Sequence, residues 1–468
     1  MISRRSFMNS AIGLGLSPLL PLAAWATTPR DTLRIATRVL DIDGRAASVY
    51  SLTNQLGGHG LVLNRADGFD LRLINDLTED SIIHWHGLTP PVEFDGVPEL
   101  SQPPLRPGQE FDYKFDLRRG GTHWMHSHLG GQEQNLLAAP LIIHDGAPEM
   151  QEVVIILHDF SFRGPDEIYF ELTGKRIGDM DHAAHMAGGG GMMTMDHSAM
   201  GHDMEMDLND VEFDAYLAND RTLNDPEQIS VAPNSQVRLR IINAAASTNF
   251  WMQMGGLDAR LVAVDGIDVV QLAGSEFPIT MAQRLDIIVT IPADGAFPIL
   301  AQREGALERT GVVLKTPGAV VARIAATADS ETLPVLHQLE SRLQTAEPLA
   351  ARAVDVALNL HLTGDMMEYS WGLGAPAPLQ AMLGHRVEIT MHNMSIMAHP
   401  MHLHGHSFQV VDVGNGRMNG ALRDTVMVPP MGQVTIAFDA DNPGRWAFHC
   451  HNMYHMLAGM MTSFEVVA

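Results

Sequence analysis

Short apolar and β-branched runs recur along the whole chain, each closed by Gly, Pro, Asn or Asp, and stretches with the 3.6-residue repeat of an amphipathic helix are scarce. Runs of this length suit half-buried strands, so the pattern predicts an all-β protein built from sandwiches or barrels. One run occurs three times with the same sequel. Asp70-Leu71-Arg72-Leu73-Ile74-Asn75 is followed, nine residues after Asn75, by His84-Trp85-His86-Gly87. Val387-Glu388-Ile389-Thr390-Met391-His392-Asn393 is followed at the same distance by His402-Leu403-His404-Gly405. Between them Val237–Asn243 leads, again nine residues on, to Met252-Gln253-Met254-Gly255, with sulfur where the outer copies carry imidazole. Such a repeat implies three related modules, of which the middle one has lost a ligand set kept by the first and last.

Punctuation divides the chain accordingly. Residues 27–148 are expected to form the first domain, 149–325 the second and 353–468 the third, with a connection over 326–352 that includes a short helix near Leu336–Thr345. Residues 1–26 read as a leader: Ser3-Arg4-Arg5-Ser6-Phe7-Met8 is a twin-arginine signal, an interrupted apolar stretch follows, and Ala24-Trp25-Ala26 offers a cleavage site. This predicts export to the periplasm by the twin-arginine route. Inside the second domain, residues 180–206 mix Met180, Met186, Met192, Met193, Met195, Met200, Met204 and Met206 with His182, His185, His197 and His202. That segment lacks the aliphatic side chains to pack a core and is expected to be a mobile loop.

Composition narrows the chemistry. The single cysteine excludes an intrachain disulfide and leaves its thiol free for a metal. A net charge of −25 argues against nucleic acid and anionic membrane surfaces as partners and suits a protein that attracts cations. No later apolar run is long enough to span a bilayer, and a monomer is expected. Methionine is abundant at 29 residues; thioethers prefer Cu(I), although methionine also fills cores.

The lone cysteine lies in His449-Cys450-His451. On an extended strand, alternation sends the two histidines to one face and Cys450 to the other, so one tripeptide serves two metal sites. Cys450 and His455, with a weak axial thioether from Met460 and a second imidazole from His399, make up a type 1 copper set. Four His-x-His pairs, His84/His86, His126/His128, His402/His404 and His449/His451, supply eight imidazoles. Two for one metal and three for each of two others would make a trinuclear cluster between the outer domains.

The motifs His84-Trp85-His86-Gly87, Trp124-Met125-His126-Ser127-His128, His399-Pro400-Met401-His402-Leu403-His404-Gly405 and His449-Cys450-His451 through Met460 resemble those of the multicopper oxidase family. The resemblance is greatest to its three-domain bacterial periplasmic branch, the copper-resistance and cuprous oxidases, and it covers essentially the whole mature chain. It implies three consecutive cupredoxin-like Greek-key domains and four copper ions. Type 1 copper would be held by His399, Cys450, His455 and Met460, type 2 by His84 and His402, and the type 3 pair by His86, His126, His128, His404, His449 and His451. It also implies that a reductant loses electrons singly at the type 1 site, that they pass through Cys450 to His449 and His451, and that four of them reduce dioxygen to two waters. Asp95 matches an acidic position that relatives use near the cluster, where protons are needed. Two positions depart from the family pattern: His123 stands where an aromatic residue is usual, and Met456 and Leu457 follow His455 where some relatives carry a proton-delivering carboxylate.

The expected substrate is Cu(I), oxidised to the less toxic Cu(II). Met394 and Met397 lie just before His399, and Met366, Met367, Met192, Met193, Met195, Met200, Met204 and Met206 could feed the same edge. A laccase-like oxidase of small aromatic reductants, phenols or aryl amines, is the alternative. A copper-storage or delivery protein that consumes no oxygen is a third reading. A copper nitrite reductase is disfavoured, because its chemistry does not need His449 and His451 beside six further cluster ligands.

Overall fold

A computed structural model describes residues 31–179 and 208–468; the leader at 1–26 and the Met/His segment at 180–206 lie outside the described residues. Six sheets share three apolar cores, two sheets to each core. The first pair, of four strands each, runs from Asp31–Ile42 to Ala138–His144. The second, of six and five strands, runs from Gln151–Phe160 to Arg309–Lys315, and the third, also of six and five, from Val356–Asp365 to Met461–Val467. The protein is all-β in this sense, and among the described residues no helix is long and apolar enough to cross a membrane.

The threefold repeat has a structural cause. In each module the opening strand pairs in parallel with the repeated run: Asp31–Ile42 with Phe69–Asn75, Gln151–Phe160 with Gln236–Asn243, and Val356–Asp365 with Arg386–Asn393. Each run ends on a buried asparagine whose amide ties down the loop beyond it. The Asn75 Nδ2 donates to the carbonyls of Glu79 and Leu105, that of Asn243 to Thr248, and that of Asn393 to Met397 and Pro429. The Oδ1 of each accepts from the backbone N–H two residues on, at Leu77, Ala245 and Ser395. Such a side-chain turn satisfies backbone groups that would otherwise be buried unpaired, and it fixes the nine-residue distance to the ligand position. The glycine closing each motif has φ of +90° at Gly87, +60° at Gly255 and +67° at Gly405, and a Cβ there would stand within 2.5 Å of Arg284, Pro298 and Trp446 respectively. In the middle copy Met252 and Met254 are buried in the domain's own core, so sulfur has become packing there.

The expected helix near Leu336–Thr345 is a single 3-10 turn at Glu340–Arg342. Its flanks are drawn out: the Val335 N–H donates to Glu304, and the Gln344 carbonyl accepts from the Val270 N–H. Glu340 is buried because it meets Arg423, which also pairs with Asp265 at 3.0 Å. Arg284 and Asp424 extend this fully buried ion network toward the contact of the first and third domains.

Removing one partner from such a network leaves charge buried and uncompensated, at a cost of about 3–5 kcal/mol. Asp265→Ala, which strips Arg423 and the Arg284 N–H of an acceptor, is therefore expected to lower stability by that amount. Thermal or urea unfolding of the full chain checks this.

Candidate metal centre

Strand Gly444–Cys450 is hydrogen-bonded between His399–Leu403 and Met461–Val467, and its alternation divides the triplet at its end. Cys450 Sγ lies 3.8 Å from His399 Nδ1 and 3.7 Å from His455 Nδ1, and those two nitrogens are 3.1 Å apart. All three residues are completely buried, as is Met460, whose carbonyl accepts from the Cys450 N–H. His455 rides on the short helix Met453–Leu457, whose start is capped by the Asn452 side chain. Trp371 lies against the His455 ring with centroids 4.0 Å apart, and Ser395 Oγ holds His399 Nε2 at 2.7 Å.

The other eight imidazoles converge where the first and third sandwiches meet, and all are buried. Ladder pairing sets His84 opposite His126 and His402 opposite His449. The outer nitrogen of most rings is pinned. His84 Nδ1 donates to the Asp95 carbonyl at 2.8 Å, His402 Nδ1 to that of Asp424 at 2.8 Å, His126 Nδ1 to Ser127 at 3.1 Å and His449 Nδ1 to Cys450 at 2.9 Å. His404 Nδ1 meets Asp95 Oδ2 at 2.8 Å and His86 Nε2 meets Asp424 Oδ1 at 3.1 Å. The inner nitrogens are left without protein partners: Nε2 of His84, His126, His402 and His451, and Nδ1 of His86. His404 Nε2 and His449 Nε2 face each other at 3.0 Å, and His128 Nε2 stands 3.3 Å from His449 Nε2. With their Nδ1 protons committed outward, the rings of His404 and His449 present lone pairs to one another, which is repulsive unless a cation lies between them. Copper fits this donor set, since imidazole and thiolate with orphaned lone pairs are its ligands.

Electrostatics agree with a site built to hold cations. Burial, reinforced by neighbouring rings, holds His86, His126, His128, His399, His402, His404 and His451 well below the ordinary imidazole range and brings His449 down to about 3. The rings are neutral, as metal ligands must be. Burial likewise pushes the Cys450 thiol up, so its ligating thiolate form calls for a compensating positive charge.

Sequence reasoning missed four charged residues that surround the two nests. Asp424 faces His86 and is held down to about 2, Arg284 outweighing the cost of burial. Arg284, from the second domain, reaches Asp424 with both Nη atoms. Glu133 Oε2 stands 2.9 Å from His126 Nδ1, and burial raises its carboxyl well above the usual range. Asp210, also from the second domain, lies 2.8 Å from the outer nitrogen of His455 and accepts from Tyr369 Oη at 2.7 Å and Asn452 Nδ2 at 3.1 Å. Burial alone would raise Asp210, but His455, Tyr369 and Asn452 outweigh it. The only sequence signal was position: Asp424 sits between two ligand pairs, and Asp210 just after the Met/His segment.

The remaining expected residues fall in different places. Asp95 is buried against His84 and His404. His123 is buried with neither ring nitrogen bonded, belongs to neither nest, and lies against the backbone at Gly87 and Gly266. Met397 is buried in the core that holds Cys450 and Met460, and Met366 packs against that core. Met394 is half-buried, with its N–H donating to Leu362, whereas Met367 is 96% exposed. Met192, Met193, Met195, Met200, Met204 and Met206 lie outside the described residues.

Three pairs of sheets with a thiol–imidazole nest beside an eight-imidazole nest define a class of copper-binding β-sandwich proteins. Residues 35–148, 189–319 and 352–468 each match a multicopper oxidase family model. Multicopper oxidase MmcO of Mycobacterium tuberculosis is 31% identical over 92% of this chain and 85% of its own length. Copper resistance protein A of Escherichia coli is 26% identical over 96% and 94% respectively. Among solved structures, the multicopper oxidase of Pseudomonas thermotolerans superposes with a TM-score of 0.69 at 24% identity over 93% of this chain and 98% of that one. Fet3p, a multicopper oxidase that functions in iron import, gives 0.73 at 20% over 93% and 90%; both agree in fold. The chain belongs to the multicopper oxidase family. It is an oxidoreductase with copper as its cofactor.

The depressed imidazoles fix the direction of an acid response. In the copper-free protein they stay neutral when folded but titrate near 6.5 when unfolded, so the unfolded chain gains protons first and stability falls as pH drops below that value. Thermal unfolding at about pH 7.5 and pH 5 should show a large drop for the copper-free protein and a smaller one once copper occupies the lone pairs.

Proposed function

We propose that the enzyme oxidises Cu(I) to Cu(II) and delivers the electrons to dioxygen, four for each molecule reduced to two waters. The observation that carries this reading is the junction at Cys450: its thiol lies in one nest while its covalent neighbours His449 and His451 lie in the other. His399, Cys450, His455 and Met460 would hold type 1 copper, His84 and His402 type 2, and His86, His126, His128, His404, His449 and His451 the type 3 pair. Bound there, copper supplies one-electron acceptance at the first nest and oxygen reduction at the second.

The chain's own residues supply the rest. The backbone through Cys450 joins the nests by covalent bonds, and the hydrogen bond from His449 Nδ1 to the Cys450 carbonyl stiffens that bridge. Asp95 and Asp424 orient the imidazoles; Asp95 and Glu133 stand near enough to the rings to handle protons, while Asp424, as near to His86, is held ionised by Arg284. This arrangement stands in for the carboxylate missing after His455.

Cu(I) is favoured over bulky aromatic donors because the type 1 edge is covered. His455 and the Asp210 carboxylate are wholly buried and Trp371 is 5% exposed, while soft sulfur from Met397 and Met366 lies in or against the surrounding core. The copper-resistance relatives point the same way. The twin-arginine leader supports a periplasmic enzyme.

Full reconstitution is expected to give four coppers per chain, with the absorption of a copper–thiolate bond and Cu(I)-dependent oxygen uptake. Fewer than four would remove the oxidase assignment. Cys450→Ser should lose the colour and nearly all turnover while the circular dichroism of the fold is retained. Deleting residues 180–206 should slow Cu(I) turnover; faster turnover of large dyes with Cu(I) turnover unchanged would favour the laccase-like alternative.

A further inference from the structure

The outer sheet face of the third domain carries two histidines that neither copper nest uses. His361, on strand Val356–Asp365, and His392, on Arg386–Asn393, are direct partners in the parallel ladder. Both are half-buried, and their ring centroids are 5.5 Å apart with the planes at 64°. The repeat supplies an internal control. At the same register, one residue before the loop-tying asparagine, the first module pairs Arg34 with Ile74 and the second pairs Ile156 with Ile242. The fold therefore needs an imidazole at neither position, and the pair is a property of the third module alone.

Its chemistry is that of a chelate. His392 Nε2 donates to Asn359 Oδ1 at 3.0 Å, which commits that proton and leaves Nδ1 with its lone pair, in the way an outer partner orients a metal-binding imidazole. No hydrogen bond from a described residue holds the His361 ring. Burial and the neighbouring His361 lower the basicity of His392 and so favour the neutral form a ligand requires. Gly374, opposite His361, brings no side chain over the pair, and Gln433, opposite His392, adds an exposed amide in the same row. The strongly negative chain concentrates cations at such a surface.

We propose that His361 and His392 form a surface site for a divalent transition ion, with Cu(II), the strongest binder in the Irving–Williams order, as its preferred occupant and water and Gln433 as supplementary ligands. Binding stands on the pair's own geometry. Its use, to take up the Cu(II) released by turnover, rests on the cuprous oxidase reading.

Footprinting of the copper-loaded enzyme by diethyl pyrocarbonate, mapped by peptide mass spectrometry with and without added Cu(II) or Zn(II), tests this residue by residue and reads the histidines of 180–206 separately. Joint protection of His361 and His392 over one concentration range is expected. In His392→Gln the ion concentration that half-protects His361 should rise by more than the about tenfold that loss of an outer partner alone costs, and His361→Gln should expose His392 in the same way. Modification of either ring at an unchanged rate with the ion present would overturn the proposal, as would protection of His361 undiminished in His392→Gln. Neither variant touches the copper nests, so their colour and oxygen uptake report folding. In the unaltered enzyme, absence of protection with Cu(I) turnover intact defeats the site alone, and protection without any Cu(I) turnover defeats the cuprous oxidase reading alone.

Discussion

The structure depends on packing imidazole lone pairs against one another inside the protein. Buried acceptors facing each other at about 3 Å repel, and nothing in an apolar core would bring them there. They stay because six of the eight rings are gripped from behind, four by backbone carbonyls and two by Asp95 and Asp424. The grip decides which nitrogen carries the proton and therefore which one looks inward. The inward donor set is thus shaped partly by main-chain geometry, where no side-chain change would reveal it.

The middle domain has lost its ligands without becoming a spacer. Met252 and Met254 close its core, while Arg284 and Asp210 extend from it to the two nests of its neighbours. A domain with no imidazole at the equivalent place thereby supplies charge to the two nests next door. That arrangement ties the relative placement of the three sandwiches to the electrostatics of the chemistry.

Much of this was legible in the chain because strand alternation and the asparagine-to-ligand distance are local rules. His84, His402 and their partners stand at fixed intervals from residues that fold the same way in every copy, and His449-Cys450-His451 displays its division between two faces directly. Asp210, Glu133, Asp424 and Arg284 obey no such rule. Each is a single charged residue whose partner is brought near only by tertiary packing, and nothing periodic marks it. The linker misled for a related reason: residues 336–345 have helical composition, but ladder and side-chain contacts at both ends pull the segment straight.

The eight-ring nest takes four of its members from near the beginning of the chain and four from its last stretch. During synthesis the first four therefore exist for most of the ribosome's journey as half a container, open on the side that the final sandwich will close. An ion arriving early would find only half of the imidazoles that the finished nest offers. The complete nest is accordingly available only to a chain in which the first and last sandwiches have met.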